Sequence, residues 1–297
     1  MDPTIPIRPG DTHWIHHLDP FAVHFSGDFG IRWYGLAYLA GLFAGLWLLR
    51  RWQRQGRVPL TVDGITDFVV ACAVGMVVGG RLGYVLLYEP SLAVTFTADF
   101  PWWGLLAVNH GGMASHGGMI GLAIATWWFC QRRRISILVM ADLIAATGPI
   151  GIALGRVANF VNGELWGRPS DVPWAVIFPQ APLIQGFQVA RHPSQLYAVA
   201  LEGLLILAVL LPIHVRHRRP GLTVALFLLL YSCGRFAGEF FREPDLGQQI
   251  FFGWMSKGQL YSIPLAVAGV GLLFWVWKRG QRPAAYTRLD ELVLHQG

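Results

Sequence analysis

Charged side chains make up only 13% of this 297-residue chain, and cysteine occurs only three times. Cys72, Cys130 and Cys233 have no CxxC spacing and leave an odd number, so neither a disulfide framework nor a thiolate metal site is favoured. They read instead as small core-filling residues. A GxSxG elbow, an HExxH pair, a Walker loop and a dinucleotide glycine fingerprint are all missing, so serine hydrolase, zinc protease, NTPase and dehydrogenase chemistries lack support. The start, MDPTIPIRPGDTHWIHHLDPF, lacks the basic stretch and unbroken apolar run of a cleaved signal peptide. The first span is therefore expected to direct insertion.

What remains is apolar: 54% of residues are hydrophobic and 13 are tryptophan, a composition at odds with a soluble globule. Runs near the ~20 residues needed to cross a ~30 Å hydrocarbon core recur at about 31–50, 64–88, 117–131, 136–160, 195–214, 221–241 and 259–277. The reading is an all-α polytopic membrane protein, a single integral membrane domain over 1–297. It comprises an N-terminal arm (1–30), seven transmembrane helices (31–277) with a small irregular outer head near 161–194, and a tail (278–297). The third run is short, and Gly148, Pro149 and Gly151 interrupt the fourth. Residues 89–116 carry no Lys or Arg but hold Phe100, Trp102 and Trp103, as a segment at the outer interface would.

The net charge of +6 would tempt a nucleic-acid reading, but its distribution points elsewhere. Residues 50–57, 131–134, 214–219 and the tail from Lys278 hold 14 of the 23 Lys and Arg residues. Those segments alternate between spans and are expected on the cytoplasmic side, which leaves the N-terminus outside and the C-terminus inside. The other basic residues, Arg81, Arg156, Arg191 and Arg235 among them, gather mostly toward the outer ends of spans, against the usual bias. Attraction of an anion is the simplest reason for placing them there.

Polar residues inside apolar runs cost about 2.5 to 3.5 kcal/mol each when charged, and usually serve a site. GRVANFVNGELWG (155–167) places Arg156 and Asn159 on one helix face, with Gly163 releasing the chain so that Glu164 and Gly167 fold back. A purely structural polar network is the competing reading. In YSCGRFAGEFFREPD, Arg235 and Glu239 are i,i+4 partners. They can neutralise each other or present a guanidinium fork to phosphate, and spacing does not decide between these. Tyr34 is an interfacial aromatic or a site residue. Arg81, among glycines, either snorkels outward or faces the bundle interior. HGGMASHGGM holds His110 and His116 without carboxylates at ligand spacing, so a metal site is disfavoured. His116, at the mouth of an apolar run, is the better general-base candidate, with a backbone-bonded histidine as the alternative. Arg191 and His192 read as interfacial anchors or headgroup contacts.

GRVANFVNGELWG resembles the signature of the bacterial phosphatidylglycerol:prolipoprotein diacylglyceryl transferase family. So do IRWYG (31–35), GGRLGYVL (79–86), GGMASHGG (111–118), RHPSQLY (191–197) and GRFAGEFFREPD (234–245), in the family's order. The resemblance implies transfer of the diacylglyceryl group from phosphatidylglycerol to the lipobox cysteine of a prolipoprotein signal peptide, with glycerol phosphate leaving. It implies a multi-pass protein of the bacterial inner membrane, with the site toward the periplasm and no metal or cofactor. The partners are the lipid, the precursor peptide and membrane lipids, with no nucleic acid, and the chain is expected to be a monomer. Tyr34, His116, Arg156, Asn159 and Arg235 take the catalytic roles. Glu164, Gly167, Glu239, Tyr231, Arg81 and His192 are assigned to substrate binding, with Glu164 and Glu239 holding the guanidiniums. Two departures stand out: His110 sits where the family more often has an acid, and Arg32 where some relatives have histidine. A lipid transporter and a non-catalytic precursor-binding relative are the alternatives, and retention of the whole residue set argues against the second.

Overall fold

The computed structural model describes residues 6–26, 29–98, 101–107, 111–217, 219–244 and 251–279. Phe100, His110 and the tail beyond 279 lie outside the described residues. The apolar runs become helices α1 (Trp33–Gln53), α2 (Val62–Leu87), α3 (Ser115–Arg133), α4 (Ile137–Val161), α5 (Ser194–Ala198), α6 (Leu205–Arg216), α7 (Leu222–Gly238) and α8 (Lys257–Lys278). A π-helical turn, Val199–Leu204, joins α5 to α6, so Ser194–Arg216 forms one 23-residue rod. Among the described residues, four helices are long and apolar enough to cross a membrane: Val62–Leu87, Ile137–Val161, Ser194–Arg216 and Lys257–Lys278; Leu222–Gly238 is a shorter apolar helix. Helices α1 and α3 end in arginine pairs, Arg50 with Arg51 and Arg132 with Arg133.

Residues 6–45 and 142–279 form one compact unit, and 46–141 another. In the first, α4 runs unbroken through Pro149, where the sequence predicts an interruption. A missing N–H at one position is tolerated when neighbouring helices enclose the backbone. The glycines there serve packing, since a Cβ on Gly41 of α1 would lie 3.1 Å from the Cα of Gly151. In the second unit, α2 and α3 pack through glycines on both helices, and a Cβ on Gly79 would meet the Gly117 carbonyl oxygen at 2.4 Å. The cysteines depart from their expected role, because only Cys130 is buried, while Cys72 is intermediate and Cys233 exposed.

The segment after α4, which its prolines and tryptophans mark as an ordered irregular head, contains short paired strands. Strands β4 (Val176–Ile177) and β5 (Ala190–Arg191) pair antiparallel, and β1 (Trp14–Ile15) adds in parallel to β4. The arm thus completes the head sheet before the β2–β3 hairpin (Phe21–Ser26, Phe29–Arg32) leads into α1. Ile177 and Ala190 pack with Ile7 and Ile15 on one side, and Val176 and Phe178 pack with Phe160 and Trp166 on the other. Buried His16 donates from Nε2 to the Phe160 carbonyl at 2.7 Å, which also accepts from the Gly163 N–H at 3.0 Å at the end of α4.

Two contacts hold these elements together. Asp142 of α4 is buried and accepts from the backbone N–H groups of Gly221 (2.7 Å) and Val224 (2.8 Å), an N-cap for α7 supplied by another helix. Asp142→Ala is expected to cost about 1 to 2 kcal/mol, the loss of a good cap, and to lower the thermal unfolding midpoint in detergent by a few degrees. Burial pushes the His16 imidazole below its ordinary value of 6.5. Because its folded-state pKa is depressed, its contribution to stability is present above the unfolded-state value and is lost as pH falls through the folded-state value. Between pH 7 and pH 5, the wild-type unfolding midpoint should therefore fall more steeply than that of His16→Gln.

Candidate functional site

Two side chains of the site leave α4 one turn apart. Arg156 donates from Nε and Nη2 to Oε2 of Glu202, at 3.1 and 2.8 Å. Glu202 stands on the π-helical turn and is 0% exposed. Its second oxygen, Oε1, lies 3.5 Å from Nη1 of Arg235 on α7. One carboxylate therefore holds guanidiniums from two separate helices. The predicted i,i+4 pair is present: Arg235 Nη2 meets Glu239 Oε1 at 2.5 Å, and Arg242 reaches the same oxygen at 3.3 Å. Ser256 Oγ donates to Glu239 Oε2 at 2.5 Å while also capping α8 in a capping box with Gln259. Three guanidiniums face two carboxylates in this chain of contacts.

Asn159, the other α4 side chain, donates from Nδ2 to the Tyr34 hydroxyl and to Glu164 Oε1, the latter at 2.8 Å. Glu164 is thus tied to Asn159 and not to Arg156 as the sequence assignment has it; the carboxylate on Arg156 is Glu202. Tyr231, one turn before Arg235, stands beside Arg156. The fold-back after α4 depends on left-handed backbone at Gly163 (φ +65°) and Leu165 (φ +57°). For leucine this region is strained, at a cost of order 1 to 3 kcal/mol. Gly167 N–H then bonds the His192 carbonyl at 2.9 Å, and a Cβ on Gly167 would meet that oxygen at 2.4 Å and the Phe241 oxygen at 2.6 Å. Only glycine fits between these two backbones.

Within the fourth sequence cluster, Arg191 does something different from lipid contact. Arg191 is 2% exposed and donates to the carbonyls of Gly167 (3.3 Å) and Pro182 (3.0 Å), so it fastens the head and is not an interfacial anchor. His192 has Nδ1 3.1 Å from the Tyr197 hydroxyl and its ring edge-on to Phe241, and burial lowers its pKa. A small cavity of about 10 Å³ opens among Arg156, Glu202, Arg235, Arg242, Ser194 and Gln195. That is about the space one water needs.

The second unit carries the other two assigned residues. Arg81 is 6% exposed and donates to the carbonyls of Gly104, Leu105, Gly111 and Gly112 at 2.6 to 2.9 Å, which resolves the sequence alternatives toward the interior. Gly111 and Gly112 lie just before α3, whose second residue is the exposed His116. Among the described residues, no three His, Cys, Asp or Glu side chains gather as metal ligands.

Sequence reasoning misses Glu202, Arg242 and Ser256. Glu202 leaves a trace, since it is the sole charged residue within the run 195–214, where a carboxylate needs a partner. Residues 20–275 match the family model described as prolipoprotein diacylglyceryl transferase. A phosphatidylglycerol–prolipoprotein diacylglyceryl transferase of Rhodopseudomonas palustris is 44% identical over 288 residues, covering 92% of this chain and 96% of that protein. Those of Pseudomonas fluorescens and Rhodospirillum rubrum are 43% and 41% identical, over 89% of this chain and 95% and 94% of theirs. Two arginines converging on one buried carboxylate, the motifs around them and these matches lead to one conclusion: the chain belongs to the prolipoprotein diacylglyceryl transferase family.

Proposed function

We propose that Arg156 and Arg235 jointly receive the phosphate of phosphatidylglycerol in this enzyme. The chain is a transferase that moves the diacylglyceryl group from phosphatidylglycerol to prolipoprotein, the first step of lipoprotein maturation. The observation carrying the mechanism is that guanidiniums from α4 and α7 share Glu202 and line one cavity.

A cysteine thiol has a pKa of about 8.5 and reacts as its thiolate. His116, at the opening of α3, takes the proton. The sulfur attacks the glycerol carbon bearing the phosphate, so a C–S bond forms as the C–O bond breaks. The electron pair leaves with the phosphate, and glycerol phosphate departs. Negative charge grows on the leaving group, where fixed donors in a poorly solvated site act most strongly. Arg156 and Arg235 supply those donors. Tyr34 and Asn159 hydrogen-bond headgroup or glycerol oxygens, with Glu164 fixing Asn159 and Glu239 fixing Arg235. Tyr231 and His192 border the bound lipid. Arg81 acts through Gly104, Leu105, Gly111 and Gly112, whose carbonyls it holds, and Gly167 admits the close backbone approach behind the site.

The finer topology belongs to the same proposal. Helices α1 to α4, the α5–α6 rod, α7 and α8 are the seven spans of a monomer in the bacterial inner membrane. The N-terminus and head face the periplasm, and the C-terminus faces the cytoplasm. The alternation of basic loops supports this orientation.

Arg156→Ala and Arg235→Ala should each lower transfer to a lipobox peptide by at least about 10²-fold, the usual loss for one preorganised donor, with membrane insertion unchanged. Mass spectrometry of the peptide after incubation with phosphatidylglycerol reads this directly, and full activity in both variants would reject the mechanism. Glu202→Ala leaves two guanidiniums without their shared carboxylate and should cost about 3 to 5 kcal/mol in thermal unfolding, as breaking a buried pair does.

A further inference from the structure

Gln195 belongs to the RHPSQLY motif, yet neither the family assignment nor the mechanism above uses it. It is 2% exposed and stands in the first turn of α5, between the head and the rod that carries Glu202. Its Nε2 donates to the Glu164 carbonyl at 2.6 Å. A carbonyl only accepts, so this contact fixes the orientation of the amide and makes Oε1 the remaining acceptor. Among the described residues Oε1 is buried and has no hydrogen-bond partner. A buried acceptor in that condition costs about 1 to 3 kcal/mol. The side chain also lines the small cavity together with Arg156, Arg235 and Arg242. An acceptor waiting beside three guanidiniums has a definite complement: a ligand with an anionic phosphodiester and a hydroxyl close to it.

We propose that Gln195 is a specificity-determining residue that reads a hydroxyl of the lipid headgroup. The inference rests on the proposed function, in which the arginines bind the phosphate. They recognise the charge common to every anionic phospholipid, whereas Oε1 of Gln195 accepts from the polyol beyond it. Ser194 Oγ turns its hydrogen to the Leu165 carbonyl at 2.8 Å and Glu202 accepts from two arginines, whereas Gln195 Oε1 has no donor of its own among the described residues. A headgroup lacking the hydroxyl leaves the acceptor unpaired, and sites built to hydrogen-bond a hydroxyl discriminate strongly for this reason.

The test compares two diacylglyceryl donors with identical acyl chains on the full-length protein. One is phosphatidylglycerol; the other is phosphatidylpropanol, which keeps the phosphodiester and the three-carbon headgroup but has no hydroxyl. Wild-type kcat/KM for lipidation of a lipobox peptide should favour phosphatidylglycerol by about 10- to 100-fold, the discrimination expected from one buried acceptor. Gln195→Met keeps length and volume and removes the acceptor. It should bring the phosphatidylglycerol value down to that of the analogue while changing the analogue's value less than about threefold. Equal use of both donors by the wild type overturns the proposal and leaves the transferase reading intact. An equal fall for both donors in Gln195→Met also overturns it, because loss of the Glu164 contact alone would act on each donor alike. If Gln195→Met does not accumulate, Gln195→Ala gives the same ratio, and a wild-type ratio near one remains decisive against the proposal. Absence of any product from phosphatidylglycerol in the wild type is a different result and rejects the transferase reading itself.

Discussion

The Glu202 carboxylate sits where α4, α7 and the π-helical turn come together, and it holds one guanidinium on each oxygen. Two arginines in an apolar surrounding repel each other and each loses hydration, so they stay close only around a shared anion. Arg156 is held through two donors and Arg235 through one longer contact, with Glu239 taking up the rest of the Arg235 fork. The site is thereby rigid on the α4 side and balanced on the α7 side.

The head serves the same centre. Gly163 and Leu165, both left-handed, turn the chain back after α4 so that Glu164 comes under Asn159 and Tyr34. Gly167 lets the returning strand and the end of α7 meet backbone to backbone, and Arg191 fastens that junction through the Gly167 and Pro182 carbonyls. A strained leucine and a fully buried arginine are costly features for a loop. They persist because the residues they position form a continuous polar network inside otherwise apolar packing. Capping contributes as well, since Asp142 holds the start of α7 and Ser256 links the start of α8 to Glu239. Two helix starts are thus tied to side chains of other elements, which limits how far the site can spread.

Much of this was legible in the residues before any coordinates. The helix boundaries follow the apolar runs to within a few positions, because an uninterrupted run of about 20 apolar residues has few alternatives to a helix in a bilayer. The Arg235–Glu239 pair and the shared face of Arg156 and Asn159 also follow from helical periodicity alone. Pro149 was misleading, since its effect depends on what encloses α4, and the N-terminal arm gave no hint of β1 because two-residue strands carry no periodic signal.

By itself the sequence determined which side chains are available: polar and charged groups set late in apolar helices, at spacings that put some of them on common faces. Only the tertiary structure decided which of them pair. Glu202 went to Arg156, Glu164 to Asn159, Arg191 into the head and Arg81 onto carbonyls. The physical reason is that periodicity acts within one helix, over a few residues, whereas the partner of a buried charge is whichever opposite group the packing of other helices brings within about 3 Å.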